Sequence, residues 1–371
     1  MTLALRPHIA PYFSPAATMT NEHDRQSRAE MMRRIARLGQ GSVVGTEEWR
    51  GIDPARRAAL NLLLVPDTVL DSREAQAVGI SGPDQIYGGV VPHAFVATKI
   101  ITHGLLADDP TVPHGWSHDL GRAIAPHVLD GFSVFSVADA KAAGRLLLAA
   151  GPVRVKNVDG TSGRGQTEAF DIDALDAAIA ARDPAEIAAK GLVIEENLEE
   201  VVTFSVGAVT LFGQSIAYWG TQRLTMNNHG ETVYGGSQLH VVRGGFDALA
   251  EQPLAPELAE AVAKASAYDR AVFDAYPGLF ASRRNYDVAF GRNARGERRI
   301  GVLEQSWRPG GASGAEIAAF EAFARDPALE SVTCSTVEVF GDVDAAPPHA
   351  TLYYSGVDPV TGPLTKYAVE Q

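Results

Sequence analysis

Apolar and polar positions along the chain alternate between helical and strand-like spacing, which is typical of a mixed α/β protein. Arg25 to Leu38 carries apolar residues at helical spacing with its charges on one side. Ala58 to Val65 is an apolar run that Pro66 and Asp67 end. These segments predict a small α/β unit that ends near Val96. It lacks the glycine fingerprint of dinucleotide binding, so we assign it no cofactor.

The middle of the chain predicts a second α/β unit. The strand Gly131 to Phe135 leads into a helix from Ser136 to Ala150, with Ser136 as the N-cap and Gly151-Pro152 as the stop. Further elements are predicted as follows: strands at Val153–Lys156 and Gly191–Glu196, and a helix at Ile172–Ala181. A glycine-rich loop follows Lys156.

The second half of the chain predicts two hairpins separated by a long helix. The first pairs Thr203–Leu211 with Ser215–Gly220 through the turn Phe212-Gly213-Gln214. The helix covers Leu258 to Tyr276. The second hairpin pairs Asn285–Phe290 with Arg299–Glu304 around the turn residues 293–296.

Length and charge restrict the class of protein. With 371 residues the chain has room for two or three domains, and 46% hydrophobic and 21% charged residues are ordinary globular values. The net charge of -13 argues against broad contact with nucleic acid or an anionic membrane. We therefore expect small-molecule partners, no nucleic acid and no membrane, and we leave a homodimer open.

Other features indicate the compartment and exclude some chemistries. A single cysteine, Cys334, excludes an intramolecular disulfide and fits a reducing compartment, so we expect a cytoplasmic protein. Prolines interrupt residues 1–22 before a secretory core could form, and we interpret this stretch as a disordered tail. The ten histidines match no zinc spacing, and no serine-hydrolase elbow is present.

A lysine before a glycine-rich loop is the first chemical candidate. Lys156 would present a point charge to phosphate oxygens, and Gly160, Gly163 and Gly165 would let backbone N–H groups approach them. The lysine precedes the glycines, so the pattern is not a Walker loop. An ordinary surface loop after an edge strand is the alternative.

Two carboxylates and an arginine form the second candidate. Asp287 and Glu304 lie on the paired strands of the second hairpin, so both can face the same side and share Mg²⁺, which prefers oxygen ligands. Arg308 could contact a transferred phosphoryl group or a substrate carboxylate. The alternative is a surface ion pair, although Val302 and Leu303 predict a buried strand.

In this order the segments from about Lys99 to Glu316 resemble the ATP-grasp superfamily. There, two lysines some tens of residues apart touch ATP phosphates, and Lys99 and Lys156 occupy their places. The loop KNVDGTSGRGQ resembles the lid of the carboxylase-type members, and Val193–Leu198 resembles the hinge whose backbone holds adenine. Residues 304–308 fall on the pattern E-x-N-x-R.

The resemblance implies a role for each matching residue. The implied nucleotide-binding residues are Lys99, Lys156, Gly160, Gly163, Arg164, Gly165, Glu195, Glu196, Leu198 and Thr203. The implied Mg²⁺ ligands are Asp287, Glu304 and Ser306, and the implied catalytic residues are Lys156 and Arg308. Thr203 replaces the usual ribose-binding acid or histidine, and Ser306 replaces the usual asparagine. We expect an altered but competent metal site, because serine can bind Mg²⁺ directly or through water.

Several segments resemble one bacterial branch of the superfamily, carried as a domain of unknown function (3182). They are VVPHAFVATKIITH, YWGTQRLTMNN, VYGGSQLHVVRGG, SRRNYD and LEQSWRPGGASGAE. Polar, glycine-bearing loops between core elements are where substrates bind, and the alternative for each is an ordinary loop contact. The candidate substrate residues are Gln222, Arg223, Tyr234, Ser237, Arg284, Gly310, Gly311 and Ser313.

The resemblance implies an ATP-grasp fold of two α+β lobes with an N-terminal α/β domain. The expected boundaries are 1–22 for the tail, 23–98 for the N-terminal domain, 99–345 for the module with lobes at about 130–200 and 201–345, and 346–371 for a packed C-terminal segment. It also implies an ATP- and Mg-dependent ligase that joins a carboxylate to an amine or similar nucleophile through an acyl phosphate. A small-molecule kinase and a non-catalytic ATP-binding regulator stay open.

Overall fold

The fold was obtained as a computed structural model that describes residues 6–14, 21–53, 60–107, 111–160 and 165–371. The α-helices in these ranges are α1 (Glu22–Leu38), α2 (Thr46–Arg50), α3 (Ser72–Val78), α4 (His118–Ile124), α5 (Val137–Leu148), α6 (Ile172–Ala180), α7 (Pro184–Lys190), α8 (Phe246–Ala250), α9 (Pro256–Ala275) and α10 (Ser313–Arg325). In the described part of the chain, none of the helices has the length and hydropathy needed to cross a membrane.

The strands in the same ranges form four sheets. They are β1 (His8–Tyr12), β2 (Ser42–Val43), β3 (Leu62–Pro66), β4 (Leu70–Asp71), β5 (Gly89–Val91), β6 (Gly131–Val134), β7 (Val153–Asn157), β8 (Gln166–Ala169), β9 (Leu192–Glu196), β10 (Glu199–Leu211), β11 (Gln214–Met226), β12 (Thr232–Arg243), β13 (Phe280–Ala281), β14 (Arg283–Arg292), β15 (Arg298–Ser306), β16 (Ser331–Phe340), β17 (Thr351–Asp358) and β18 (Gly362–Glu370).

A small parallel sheet of order β2-β1-β3 begins the chain. Every residue of β3 is buried, as expected for a parallel strand covered on both faces. A second small sheet of order β13-β5-β4 adds Phe280-Ala281 from much later in the sequence. The N-terminal region is therefore joined to the rest of the protein by strand pairing as well as by the chain.

The expectation of a disordered tail over residues 1–22 is wrong for His8–Tyr12, which form β1. Ile9 and Ala10 are fully buried, and β1 pairs with β3 along its whole length. Pro11 is tolerated because β2 pairs only with His8 and Ile9, so no strand on that side needs its missing N–H. The prolines at 7 and 11 obscured the strand pattern in the sequence. The other expected domain boundaries stay a prediction.

A four-stranded antiparallel sheet of order β6-β9-β7-β8 forms the middle of the protein. Helices α5 and α6 cover it, with Ala143 and Leu175 in the shared core. The Ser136 hydroxyl accepts a hydrogen bond from the backbone N–H of Asp139 at 3.0 Å, which confirms the predicted N-cap of α5.

An eight-stranded antiparallel sheet of order β15-β14-β10-β11-β12-β16-β18-β17 forms the second half. One face packs against α8 and α9, and the other packs against α1 and α10. Both predicted hairpins are confirmed. In the first, Phe212 and Gly213 have φ values of 50° and 75°, the left-handed pair that a tight hairpin turn requires. The C-terminal strands β17 and β18 continue this sheet.

Candidate functional site

The register of β14 and β15 places two carboxylates side by side. Asp287 lies opposite Glu304, and Asn285 lies opposite Ser306. Because side chains on a strand alternate between faces, all four lie on the face of the large sheet that also carries α10. The register shifts after Asp287, where Leu303 is an extra residue on β15. The three predicted metal ligands therefore share one surface.

Asp287 is surrounded by hydrogen-bond donors. Its Oδ1 atom accepts from Ser205 Oγ at 3.3 Å, Gln222 Nε2 at 3.1 Å and Asn285 Nδ2 at 3.2 Å. Burial and then the negative charge of Glu304 raise the pKa of Asp287 to about 6, although the three donors oppose the shift. A cation between Asp287 and Glu304 would relieve this repulsion.

Lys99 lies beside the second carboxylate. Its Nζ atom is 2.9 Å from Glu304 Oε2 and also donates to the carbonyl oxygen of Gly160. The lysine begins a short 3₁₀ turn, Lys99–Thr102, and its side chain is 5% exposed. One ammonium group therefore contacts both the predicted metal site and the start of the predicted phosphate loop, which are far apart in the sequence.

Lys156 is held in a buried charge cluster. Its Nζ atom pairs with Glu195, whose other oxygen lies 3.2 Å from His103 Nε2. Burial alone would raise the pKa of Glu195, but Lys156 and His103 lower it to about 2. His103 fits because residue 131 is glycine, where a Cβ would lie 2.6 Å from the imidazole. No motif in the sequence distinguishes His103 from the other histidines.

The glycine loop after Lys156 is described at its two ends. Gly160 accepts from Lys99, and the Gly165 carbonyl accepts from the backbone N–H of Asn157 at 2.9 Å. Gly165 has φ of 74°, a left-handed conformation that favours glycine. The candidates Gly163 and Arg164 lie outside the described residues.

The predicted adenine hinge, Val193–Leu198, covers most of β9 and the two residues after it. Glu196 accepts from Arg299 at 2.7 Å and from the backbone N–H of Asp130 at 3.2 Å, so its carboxylate is engaged. Leu198 is buried in a small apolar cluster. Thr203 lies two residues before Ser205 on β10, and strand alternation places it on the face that carries Asp287.

Arg308 is half-buried just beyond β15. Its described side-chain hydrogen bond goes to the neighbouring Pro309 carbonyl at 3.1 Å. Burial and then the positive charge of Arg283 lower the pKa of Arg308, while Glu304 and Asp287 oppose that shift. The Arg308 guanidinium therefore lies within the electrostatic reach of both carboxylates.

Arg283 positions the segment that carries Arg308. Its Nη1 atom donates to the carbonyls of Ser306 at 3.2 Å and Arg308 at 2.6 Å. The same guanidinium pairs with Glu316 of α10 at 2.8 Å, and both side chains are fully buried. Tyr218 donates to Glu316 at 2.7 Å. The sequence signal for this network was the pair Arg283-Arg284, which did not show which arginine faces inward.

The structure brings most of the candidate substrate residues to the same face. Gln222 contacts Asp287 directly, and its cross-strand partner is Ser237. The Tyr234 hydroxyl lies 2.7 Å from Ser237 Oγ, and a Cβ on Gly311 would lie 2.5 Å from the Tyr234 ring. The backbone N–H of Gly310 donates to Ser313 Oγ at 3.0 Å.

Arg223 and Arg284 are not brought to this cluster. Arg284 pairs with Asp269 of α9 at 2.8 Å, on the opposite face of the large sheet from Asp287. It is sandwiched there between the rings of Phe246 and Phe273. Arg223 is exposed and donates to the Gly235 carbonyl, and strand alternation turns it away from the site.

The donor set fits a magnesium ion that is shared with phosphate oxygens. Among the described residues there is no group of three or more His, Cys, Asp or Glu side chains arranged to hold a metal. Two carboxylates with a serine hydroxyl leave several positions for other oxygens, as Mg²⁺ usually requires. Lys99 already pairs with Glu304, whereas the described partners of Asp287 are neutral donors, so burial and Glu304 raise the pKa of Asp287 and favour a cation beside it.

Comparison with known proteins places the chain among characterised folds. The model of the family described as "Protein of unknown function (DUF3182)" matches residues 12–368. No sequence among the curated proteins matches the chain.

Solved structures cover nearly the whole chain at low identity. D-alanyl-alanine synthetase A from Vibrio cholerae is 13% identical with a TM-score of 0.52, over 87% of this chain and 95% of that one. N5-carboxyaminoimidazole synthetase from Staphylococcus aureus, complexed with ADP, is 11% identical with a TM-score of 0.52, over 100% and 94%. The biotin carboxylase domain of Hydrogenobacter thermophilus 2-oxoglutarate carboxylase, in complex with MgADP, ADP and bicarbonate, is 11% identical with a TM-score of 0.52, over 99% and 86%. These likenesses establish the α/β ATP-grasp fold.

Proposed function

This chain belongs to the family described as "Protein of unknown function (DUF3182)", and from that premise we propose that it is an ATP- and Mg-dependent ligase. The reaction joins a carboxylate to an amine, or to a similar nucleophile, through an acyl phosphate. The similar structures support this reaction class, since they include a D-alanyl-alanine synthetase and a carboxylase domain bound to MgADP.

The observation that carries the proposal is the position of Lys99. Its ammonium group contacts the Glu304 carboxylate and the Gly160 carbonyl at once, so a cation already links the metal site to the loop. A nucleotide with its phosphates at this point would meet Lys99 and the Asp287/Glu304 pair together. These are the partners that a metal-bound polyphosphate needs.

Each residue has a separate task in the proposed reaction. Asp287, Glu304 and Ser306 would hold Mg²⁺, which supplies positive charge to the terminal phosphates. Lys99 and Lys156 would neutralise phosphate oxygens. Because an ammonium group has three donors, Lys156 can keep its contact with Glu195 while it binds phosphate.

Arg308 would stabilise the transferring phosphoryl group as the substrate carboxylate attacks the γ-phosphate and ADP leaves. The acyl phosphate is then attacked at its carbonyl carbon by the amine, and phosphate leaves. The neutral donors around Asp287 would keep that carboxylate oriented. A kinase on the same scaffold would stop after the first transfer.

The first test is binding of Mg-ATP. At one hundred times its dissociation constant, a ligand stabilises the fold by about 2.7 kcal/mol, which is a measurable increase in melting temperature. Absence of both a melting shift and calorimetric heat with millimolar Mg-ATP would refute the proposed site.

The second test uses hydroxylamine as a surrogate amine with a panel of carboxylic acids. A ligase should produce ADP, phosphate and a hydroxamate together, each dependent on the acid. Glu304→Gln should abolish this turnover, and Glu251→Gln, an exposed glutamate at the end of α8, should not. A stable phosphorylated product without free phosphate or hydroxamate would establish the kinase instead.

A further inference from the structure

Helix α1 directs an arginine toward the proposed active site. Arg28 is half-buried, and its Nη1 atom donates to the carbonyl of Pro66, the last residue of β3, at 2.5 Å. Its Nε atom is inaccessible to solvent and has no hydrogen-bond partner among the residues that the structure describes. A buried guanidinium N–H without an acceptor costs free energy, so this group has a donor to offer.

The residues next to Arg28 and Arg308 both adjoin Gly88. A Cβ placed on Gly88 would lie 3.1 Å from Pro66, which accepts from Arg28, and 3.2 Å from the carbonyl oxygen of Trp307, which precedes Arg308. Consistent with this proximity, burial and the positive charge of Arg308 both lower the pKa of Arg28. Two half-buried guanidinium groups from different parts of the chain therefore share one region.

The acids around these two arginines are engaged with other groups. Asp67 accepts from the backbone N–H of Ser14 at 3.0 Å. Asp24 contacts both His23 and Lys366. Neither acid forms a described hydrogen bond or ion pair with Arg28 or Arg308. Two further acids, Glu304 and Asp287, are engaged with Lys99 and with neutral donors. These carboxylates act on the two guanidinium groups through space, so an anion between the guanidinium groups would add the direct contacts that the described acids do not make.

We propose that Arg28 and Arg308 together bind an acidic group, a carboxylate or a phosphate, on the substrate that this enzyme uses besides ATP. The planar forks of two arginines suit an oxyanion with several oxygens. The inference rests on the proposed function, because it assigns the substrate class of the same site.

The place in the fold supports this assignment. Pro66 ends β3 and Tyr12 ends β1, so Arg28 lies beside the carboxyl ends of two parallel strands. Ligands of open α/β sheets bind at those ends. On the other side, Arg308 lies two residues beyond Ser306, the last residue of β15, so a molecule held between the arginines would adjoin the proposed metal site.

The test measures anion binding by isothermal titration calorimetry. Inorganic phosphate and malonate are titrated separately into the protein, first alone and then saturated with Mg²⁺ and a non-hydrolysable ATP analogue. The analogue occupies the nucleotide phosphate site, so remaining anion binding reports a second site. Binding of phosphate alone would indicate a phosphate-bearing substrate, and binding of malonate alone would indicate a carboxylate-bearing one.

Arg28→Gln should lower the affinity for the anion by about ten- to a hundred-fold, the usual effect of losing hydrogen bonds to a charged group. Affinity for the ATP analogue should not change. Arg33→Gln, an exposed arginine on the same helix, is the matched control and should bind the anion as the wild type does. Arg28→Lys keeps the charge without the fork and should give an intermediate affinity, and it replaces the glutamine variant if that one does not fold.

Two results would overturn the inference. Either neither anion binds the wild-type protein, or Arg28→Gln and Arg28→Lys bind the anion as tightly as the wild type. Failure of the proposed function would be distinguishable from failure of this inference. In that case the wild-type protein would not bind the ATP analogue, whereas the titration without nucleotide would still show whether the anion binds.

Discussion

Replacement of Asp287 by asparagine should make the metal-free protein more stable, and more so at high pH. The pKa of Asp287 is raised from 3.8 to about 6 by burial and by Glu304. The folded protein therefore binds this proton more tightly than the unfolded chain does. Its stability falls as pH rises from about 4 to about 6, because the unfolded state ionises first.

The size of the effect follows from that pKa difference. Ionisation of Asp287 costs the folded state about 3 kcal/mol at pH 8 but only about 1.6 kcal/mol at pH 5, where the folded carboxyl is mostly protonated. Asparagine does not titrate, so position 287 of the variant makes no pH-dependent contribution to its unfolding free energy. The difference in unfolding free energy between variant and wild type should widen by about 1.4 kcal/mol from pH 5 to pH 8.

The assay is urea unfolding of both proteins at pH 5 and pH 8 in the presence of a chelator. Asp274→Asn, which changes an exposed residue of α9, is the control for the loss of one carboxylate. With Mg-ATP at pH 8 the order should reverse, since only the wild type keeps both carboxylates for the metal. A difference that stays constant or narrows with pH would refute the assignment of Asp287 as an uncompensated carboxyl.

Two further variants test the surroundings of the site. Lys156→Met should lower the free energy of unfolding in urea by about 3–5 kcal/mol, because it leaves the buried Glu195 without its main partner. The double variant Lys156→Met/Glu195→Gln should recover much of that loss. Equal stability of the single and double variants would contradict the pairing. Gly311→Ala should lower the free energy of unfolding by about 1–3 kcal/mol, since its Cβ would lie 2.5 Å from the Tyr234 ring. A Cβ at Gly310 would meet no atom closer than 3.6 Å, so Gly310→Ala should lower it less. Equal losses of stability in the two variants would contradict the packing.

Local patterns predicted the regular elements well where one face of the element is buried. The hairpin of β14 and β15 was visible because apolar alternation and the turn at Asn293–Gly296 agree, and the pairing of Asp287 with Glu304 followed from it. Strand β1 was missed because its burial depends on distant partners, β3 and the indole of Trp49, which donates to the Pro11 carbonyl. A five-residue strand with a proline at its fourth position has no local signal strong enough to show this.

Less of the site than of the fold was predictable, because the sequence shows which residues lie on a strand but not which side chains contact each other. Lys99 was predicted to bind phosphate and Glu304 to bind the metal, yet the two side chains contact each other. Arg284 was chosen as a substrate residue, but the pleat directs Arg283 to the Asp287 face and Arg284 to α9.

Arg28 had no distinguishing pattern in a helix rich in arginine. Its importance arises only because the fold places α1 beside the end of β3, and the charge of Arg308 then reaches it. Charges that the chain separates by hundreds of residues thus acquire their roles from tertiary packing, and variants of Arg28 test that step independently of the nucleotide site.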